Sequence, residues 1–114
     1  MPHFVIDCSK NILNIKSPRE IIQRVSYTAE ATGLFDKNDV KVRINFFEHY
    51  TTGNSDDDFI HIFANIMEGR TISQKKDLSE KIIFELKSMF IEVPVISINI
   101  RDFEKATYCN KSMV

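Results

Sequence analysis

Apolar residues in this chain follow a strand-like, then a helix-like, then a strand-like spacing, and this order occurs twice within 114 residues. In the first half, 4–8 is a short apolar run and 40–47 alternates apolar with polar side chains, which is typical of strands. Between them, Ser17-Pro18-Arg19-Glu20 combines a capping serine, a proline at the first helical position and a glutamate three residues beyond the cap. Helical spacing then continues to Gly33, a residue type that commonly ends helices.

The second half repeats this order. The sequence predicts an apolar strand at 59–67, a helix at about 73–90 and an alternating strand at 96–101. Each half, 2–48 and 58–104, is therefore interpreted as a β-α-β unit with a right-handed crossover. The predicted fold class is α+β (α/β): two tandem β-α-β units that form one four-stranded mixed sheet with both helices on one face.

The two faces of the predicted sheet differ in polarity. The second and fourth strands are apolar on one face only, which the helices cover, whereas the first and third strands are apolar on both faces. Half of the face opposite the helices is therefore expected to be bare and apolar. An apolar patch of that size is typical of a protein that oligomerises.

Composition and charge exclude several classes of protein. A length of 114 residues predicts a single domain, 1–114, and 43% hydrophobic with 27% charged residues is ordinary globular composition. The net charge of −1 gives no electrostatic basis for binding nucleic acid or an anionic membrane. No apolar run approaches the roughly 18 residues that a membrane span needs, and the N-terminus has no secretion-signal pattern. Cys8 is predicted to be a core residue and Cys109 to lie in a polar tail, so the cytoplasm is the expected compartment.

Pro2 is the first candidate for chemistry. Methionine aminopeptidases remove Met1 when the next residue is small, and the mature chain then begins with a secondary amine. An ordinary α-amino group titrates at about 8, and burial beside cations lowers the pKa of such an amine. A base that titrates near neutral pH suits proton transfer to and from carbon. A Met-Pro start is also common in proteins without such a role, so this feature alone does not identify a base.

Three cations form the second group of candidates. Arg43 lies on the polar side of its strand, Lys41 shares that side, and Arg70 lies in the turn before a helix. The guanidinium fork binds a carboxylate at two points and stabilises negative charge that develops on an enolate oxygen. Each residue taken singly also fits a solvated or salt-bridged surface.

Other side chains show no catalytic or metal-binding pattern. The three histidines, His3, His49 and His61, lack metal-site spacing with cysteines or carboxylates, and His61 on an apolar strand is interpreted as a hydrogen-bonded interior residue. The run Asp56-Asp57-Asp58 lacks the glycine and distal glutamate of a calcium loop. No phosphate-binding glycine loop and no nucleophile motif is present.

Several segments resemble the tautomerase superfamily, and within it the 5-carboxymethyl-2-hydroxymuconate isomerase family. The resemblance covers roughly 2–103 and is most specific at the N-terminal octet. The segments that carry it are Met1-Pro2-His3-Phe4-Val5-Ile6-Asp7-Cys8, Ala31-Thr32-Gly33-Leu34-Phe35, Phe59-Ile60-His61, and Glu68-Gly69-Arg70-Thr71 with Gln74-Lys75. The last of these also resembles the shorter 4-oxalocrotonate tautomerases near their own start.

The resemblance implies a homotrimer whose three sheets form a central barrel, with active sites near subunit boundaries and no metal or organic cofactor. It implies a substrate that is a small carboxylate-bearing enol or keto acid, such as the dienol di- or tricarboxylates formed in the breakdown of aromatic acids. Carried over by position, Pro2 would be base and acid, while Arg43 and Arg70 would hold carboxylates or the developing oxyanion. Lys41 departs from the family, which often has arginine there, and the tail after Glu104 matches poorly, which leaves the substrate open.

Two alternatives to this isomerase keep the fold. One is a dehalogenase or decarboxylase that uses the same proline, as in other branches of the superfamily. The other is a binding protein without enzymatic activity, as in the macrophage migration inhibitory factor branch. Halide or carbon dioxide release distinguishes the first, and retention of Met1 favours the second, because the proline nitrogen then stays in a peptide bond.

Overall fold

A computed structural model describes all 114 residues. It contains four strands, three helices and two short 3₁₀ turns near the C-terminus. In chain order these are β1 (His3–Ser9), α1 (Ile12–Ile15), α2 (Pro18–Ala31), β2 (Lys41–Phe47), β3 (Phe59–Met67), α3 (Ile72–Met89), β4 (Val95–Phe103) and the turns Lys105–Thr107 and Lys111–Met113. None of the helices has the length and apolar character needed to cross a membrane.

The four strands form one mixed sheet in the order β2-β1-β3-β4. Within each half the two strands are parallel, β1 with β2 and β3 with β4, and the halves join through the antiparallel pair β1–β3. The predicted four-stranded mixed sheet built from two β-α-β units is therefore confirmed. The strands β2 and β4 lie at the edges, and neither has a second partner within the chain.

The helix α2 begins at the residue that the sequence predicts, and α3 begins at Ile72, one residue before its predicted start at about 73. The Ser17 hydroxyl accepts a hydrogen bond from the Glu20 amide at 3.2 Å, which satisfies one of the free amides of the first turn of α2. Thr71 and Gln74 form a reciprocal capping box at the start of α3, with distances of 3.1 and 2.9 Å. Gly33 follows α2 with a φ of 74°, a conformation that glycine adopts without strain.

One hydrophobic core lies between the helices and one face of the sheet. Every even-numbered residue of β1 and β3 is buried, which is the period-two pattern of a strand. The helices contribute residues at helical spacing to the same core. The largest fully buried side chains are Phe4, Phe90, Ile6, Ile12, Ile21, Ile60, Ile62, Ile66, Leu78, Ile82, Leu86 and Val25. Cys8 is fully buried, as the sequence predicts.

The opposite sheet face, here called the outer face, is less apolar than the sequence pattern predicts. Val5, Phe63 and Met67 are only half-buried there, but His61 and Asn65 alternate with the apolar residues of β3. Successive residues of a strand point to opposite sides, so the odd-numbered residues of β3, polar ones included, all lie on the outer face. The expectation that half of the outer face is bare and apolar is therefore wrong, because polar and apolar side chains alternate on that half.

A line of polar residues crosses the outer face at one end of the sheet. Lys41 pairs with His3, His3 with Asn65, and Asn65 with Arg101, so the four side chains lie in register on four adjacent strands. We call these four residues the polar row. It lies where β1 and β2 begin and where β3 and β4 end.

Candidate active site

Pro2 lies at this end of the sheet, immediately before β1, and it is buried. Its carbonyl oxygen accepts a hydrogen bond from the Lys41 amide at 3.0 Å, which ties it to the start of β2. The strand that begins one residue later, β1, lies between β2 and β3 in the sheet. Arg70 follows the end of β3 by three residues, so Pro2, Lys41 and Arg70 are found at the same end of the sheet.

The chain terminus makes a charged cluster with two residues near the start of β2. The Met1 ammonium lies 3.3 Å from a carboxylate oxygen of Asp39. The Lys41 ammonium lies 3.2 Å from the other Asp39 oxygen, 2.8 Å from the Asp39 carbonyl and 3.5 Å from the Met1 sulfur. Burial raises the pKa of the Asp39 carboxyl, but hydrogen bonds and attraction from both cations outweigh burial, and the net pKa is lowered. Sequence reasoning missed Asp39, although its place two residues before Lys41 was visible.

Arg43 points from β2 into a cleft of about 470 Å³ on the outer face. Its Nη1 lies 3.1 Å from His3 Nδ1, and both side chains line the cleft together with Asn65. Burial, followed by the positive charges of Arg43, Lys41 and the chain terminus, lowers the pKa of His3. Asp39 opposes this shift. The wall opposite comes from the end of β4 and the tail, with Phe103, Glu104, Thr107, Tyr108 and Cys109.

The tail is fixed over the cleft by an aromatic contact. The Tyr108 ring stacks on Phe103 with centroids 5.3 Å apart. Glu68 accepts a hydrogen bond from the Lys105 amide at 2.7 Å, which holds the turn that follows β4. The tail therefore shapes the cleft that contains Arg43, although its sequence shows no clear pattern.

Arg70 is placed differently from Arg43. Its Nη2 donates to the Leu34 carbonyl at 2.6 Å, its Nη1 donates to the Met67 carbonyl at 3.2 Å, and its guanidinium lies 5.0 Å from the centre of the Phe35 ring. It lines a separate cleft of about 390 Å³ between the end of α2 and the turn before α3. The two arginines therefore occupy different clefts of the protomer, and Arg70 also joins the end of α2 to the end of β3.

Two further side chains of the outer face escaped sequence reasoning. Arg101 stacks on Phe63 at 4.4 Å and donates from Nε to the Asn65 side-chain oxygen at 3.0 Å. Asn65 thus connects the cleft of Arg43 to a second arginine on the far edge of the sheet. Their odd-numbered positions on alternating strands are the only sequence signal that places them on this face.

His61 lies farther along the outer face and has both ring nitrogens in hydrogen bonds. Nδ1 lies 2.7 Å from the Ser97 hydroxyl, and Nε2 lies 2.6 Å from the Asn99 side-chain oxygen. The prediction that His61 is hydrogen-bonded is confirmed, but its side chain is half-buried on the outer face and not in the interior. No group of three or more His, Cys, Asp or Glu side chains in the chain is arranged to hold a metal ion.

Comparisons with known proteins agree with this geometry. A family model described as 5-carboxymethyl-2-hydroxymuconate isomerase matches residues 2–113. The chain is 25% identical over 92 residues to a 5-carboxymethyl-2-hydroxymuconate Delta-isomerase of Escherichia coli, covering 79% of this chain and 73% of the relative.

Solved structures show the same fold. A 5-carboxymethyl-2-hydroxymuconate isomerase from Deinococcus radiodurans R1 superposes with a TM-score of 0.84 at 22% identity, covering 96% of this chain and 88% of the other. A fused 4-OT wild type symmetric trimer superposes with a TM-score of 0.81 at 11% identity, covering 98% and 95%. These likenesses confirm the predicted tautomerase fold.

Proposed function

Because the chain belongs to the 5-carboxymethyl-2-hydroxymuconate isomerase family, and is an isomerase, we propose that it ketonises a dienol di- or tricarboxylate such as 5-carboxymethyl-2-hydroxymuconate. The amine of Pro2, freed by removal of Met1, carries the proton. The observation that supports this most is the position of Pro2: it is buried before an interior strand, and its carbonyl oxygen accepts a hydrogen bond from the Lys41 amide at 3.0 Å. A free amine there is shielded from water and close to cations, which favours its uncharged, basic form.

The proposed reaction moves one proton and needs no oxidant. The lone pair of the Pro2 nitrogen takes the hydroxyl proton of the dienol, the O–H electrons form the carbonyl, and the conjugated double bonds shift along the chain. The resulting prolinium returns a proton to a carbon farther along that chain, which restores the free amine. During this transfer negative charge grows on the oxygen, and a nearby guanidinium stabilises it.

Each cation has a proposed task in this scheme. Arg43, which lines the open cleft on the outer face, binds a substrate carboxylate. Arg70 uses one donor from each of two nitrogens for backbone carbonyls, and since a guanidinium has five N–H donors, others remain for the oxyanion or a second carboxylate. Lys41, held by Asp39, contributes positive charge beside Pro2 without the two-point geometry of an arginine.

We propose that the working unit is a homotrimer. A structure with the same fold is a symmetric trimer, and both edge strands of this sheet have unsatisfied backbone groups along their outer sides. Apolar side chains on the edge strands are exposed, with Phe47 and Val95 each 40% accessible. Joining sheets edge to edge around an axis would pair those backbone groups and bring clefts of different protomers together.

The first experiment measures ketonisation of 2-hydroxymuconate by ultraviolet absorbance, with protein whose loss of Met1 is confirmed by intact mass. We expect turnover by the Met1-free protein, and a large loss both in Pro2→Ala and in protein prepared with Met1 retained, since the latter locks the nitrogen in an amide. Arg19→Ala is a matched control, because Arg19 is exposed and distant in sequence from the site. Full activity with Met1 retained would refute the Pro2 mechanism. Absence of turnover by Met1-free protein, with release of halide or carbon dioxide from acrylate-type acids, would instead support the dehalogenase or decarboxylase alternative.

A further inference from the structure

His3 and Arg43 form one wall of the cleft on the outer face. The two residues lie on adjacent parallel strands, and their side chains meet at 3.1 Å between Nη1 and Nδ1. A guanidinium can only donate hydrogen bonds, so Nδ1 of His3 must accept. An imidazole that accepts at Nδ1 is uncharged and carries its proton on Nε2.

We propose that His3 is a positioning residue: its uncharged ring holds the Arg43 guanidinium toward the cleft in the orientation that binds a substrate carboxylate, and its charged ring does not. This inference rests on the proposed function, because that proposal is what assigns a carboxylate to Arg43. An arginine side chain has many rotamers, and ordering it on binding costs conformational entropy. A hydrogen bond that already restricts Arg43 in the free protein reduces this cost.

The surroundings of His3 keep its ring uncharged at neutral pH. From β2 it faces Arg43 and Lys41, and from β3 it faces the neutral side chain of Asn65. The terminal amine lies on the side of the chain start, and Asp39 lies in the loop just before β2. The tail residues Glu104, Tyr108 and Cys109 line the same cleft. Burial and the three cations lower the pKa of His3 below its ordinary value of 6.5, so the ring gains a proton only as the pH falls through that lowered pKa. Removal of Met1 places the terminal amine one residue nearer to His3; in its uncharged form that amine adds no positive charge, and Arg43 and Lys41 remain as the cations that lower the pKa of His3.

Protonation of His3 has a specific kinetic consequence. The charged ring loses its acceptor and repels Arg43, so substrate binding weakens and KM rises in acid. Titration of the Pro2 amine acts on the proton transfer itself and therefore appears in kcat. The split between KM and kcat separates the two groups.

The experiment compares His3→Gln and His3→Leu with wild type across pH 5 to 8, using 2-hydroxymuconate. Glutamine offers an oxygen acceptor that does not titrate, so His3→Gln should keep a KM within about twofold of the neutral wild-type value and lose the rise in acid. His3→Leu has no acceptor, and its KM should be about tenfold higher at every pH with kcat little changed. His49→Gln is the matched control, because His49 is exposed in the loop between β2 and β3. An acid rise in KM that persists in His3→Gln would overturn the proposal.

Two measurements decide the inference even without turnover. Nitrogen-15 spectra of the imidazole should show His3 protonated on Nε2, and Arg43→Gln should raise its titration midpoint by removing a neighbouring cation. Calorimetric binding of adipate, a simple dicarboxylate probe, should be about tenfold weaker in His3→Leu than in wild type. An Nδ1-protonated ring, or equal adipate affinity in both proteins, would overturn the role of His3. Normal adipate and imidazole results without turnover would instead count against the proposed reaction alone.

Discussion

The first prediction concerns how much the Arg70 guanidinium contributes to the stability of the fold, apart from any contact with a ligand. It donates to the carbonyls of Leu34 and Met67 and stacks on Phe35, three contacts that join the end of α2 to the end of β3. Hydrogen bonds to a charged group contribute about 1.5–3 kcal/mol each, and the partial exposure of Arg70 places these two near or below the lower limit. The stacking adds about 0.5–1 kcal/mol. We expect Arg70→Met, which keeps the apolar stem, to lose about 3 kcal/mol of stability.

For a domain of this size, that loss corresponds to a fall in Tm of about 10 °C. The assay is differential scanning calorimetry at one fixed protomer concentration, because dissociation of an oligomer makes Tm depend on concentration. Arg19→Met is the control, since it removes an exposed arginine from the first turn of α2. Arg70→Lys should fall between wild type and Arg70→Met, because one ammonium cannot reproduce the two-nitrogen contact.

The result that would refute this reasoning is a Tm of Arg70→Met within about 2 °C of wild type. Such an outcome, combined with a large loss of turnover, would mean that the guanidinium acts on the substrate and contributes little to joining α2 with β3.

Three further predictions concern other parts of the chain. Thr71→Ala removes the N-cap of α3 and should lower the free energy of unfolding in urea by about 1 kcal/mol, whereas Ser73→Ala, an exposed neighbour, should change it little. Ellman's reagent at pH 8 should modify one thiol of the native chain, Cys109, because burial raises the pKa of Cys8 to about 11; two rapid equivalents would contradict this. Because the pKa of Asp39 is lowered in the folded protein, its charged form stabilises the fold above about pH 4, and this contribution is lost as the pH falls through the lowered pKa. Thermal melts should therefore show Asp39→Asn less stable than wild type at pH 7 and equal to it in strong acid.

The sequence predicted those elements whose determinants are local. The cap of α2 depends on a side chain within three residues of the amide it satisfies, so Ser17 could be recognised without knowledge of the fold. The capping box of α3 is equally local, but Thr71 was interpreted as part of a turn and not as a cap. The apolar run over 59–67 likewise placed β3 at its observed bounds. The helix α1, with four residues, is too short to produce a helical period and was not predicted.

Contacts across the sheet could not be predicted in the same way. The meeting of His3 with Arg43, and of Asn65 with Arg101, depends on which strands are neighbours and in what register they pair. The partner of Arg70 at Leu34 lies 36 residues away in sequence. The sequence pattern indicated Pro2, Lys41, Arg43 and Arg70 as candidates and the resemblance implied their roles, which stay predictions that the experiments above address.

The interior position of β1 has a consequence for the timing of synthesis. The N-terminus leaves the ribosome first, but its strand is enclosed only when β3, which ends at Met67, has also been made. At roughly 5–20 residues per second this leaves several seconds during which Met1 is open to an aminopeptidase. Once the sheet closes, the ammonium of an untrimmed Met1 is held by Asp39. Expression that outpaces trimming would therefore leave chains with an amide at Pro2 and a terminal ammonium paired with Asp39, and an N-terminal purification tag would leave an amide at Pro2 in every chain.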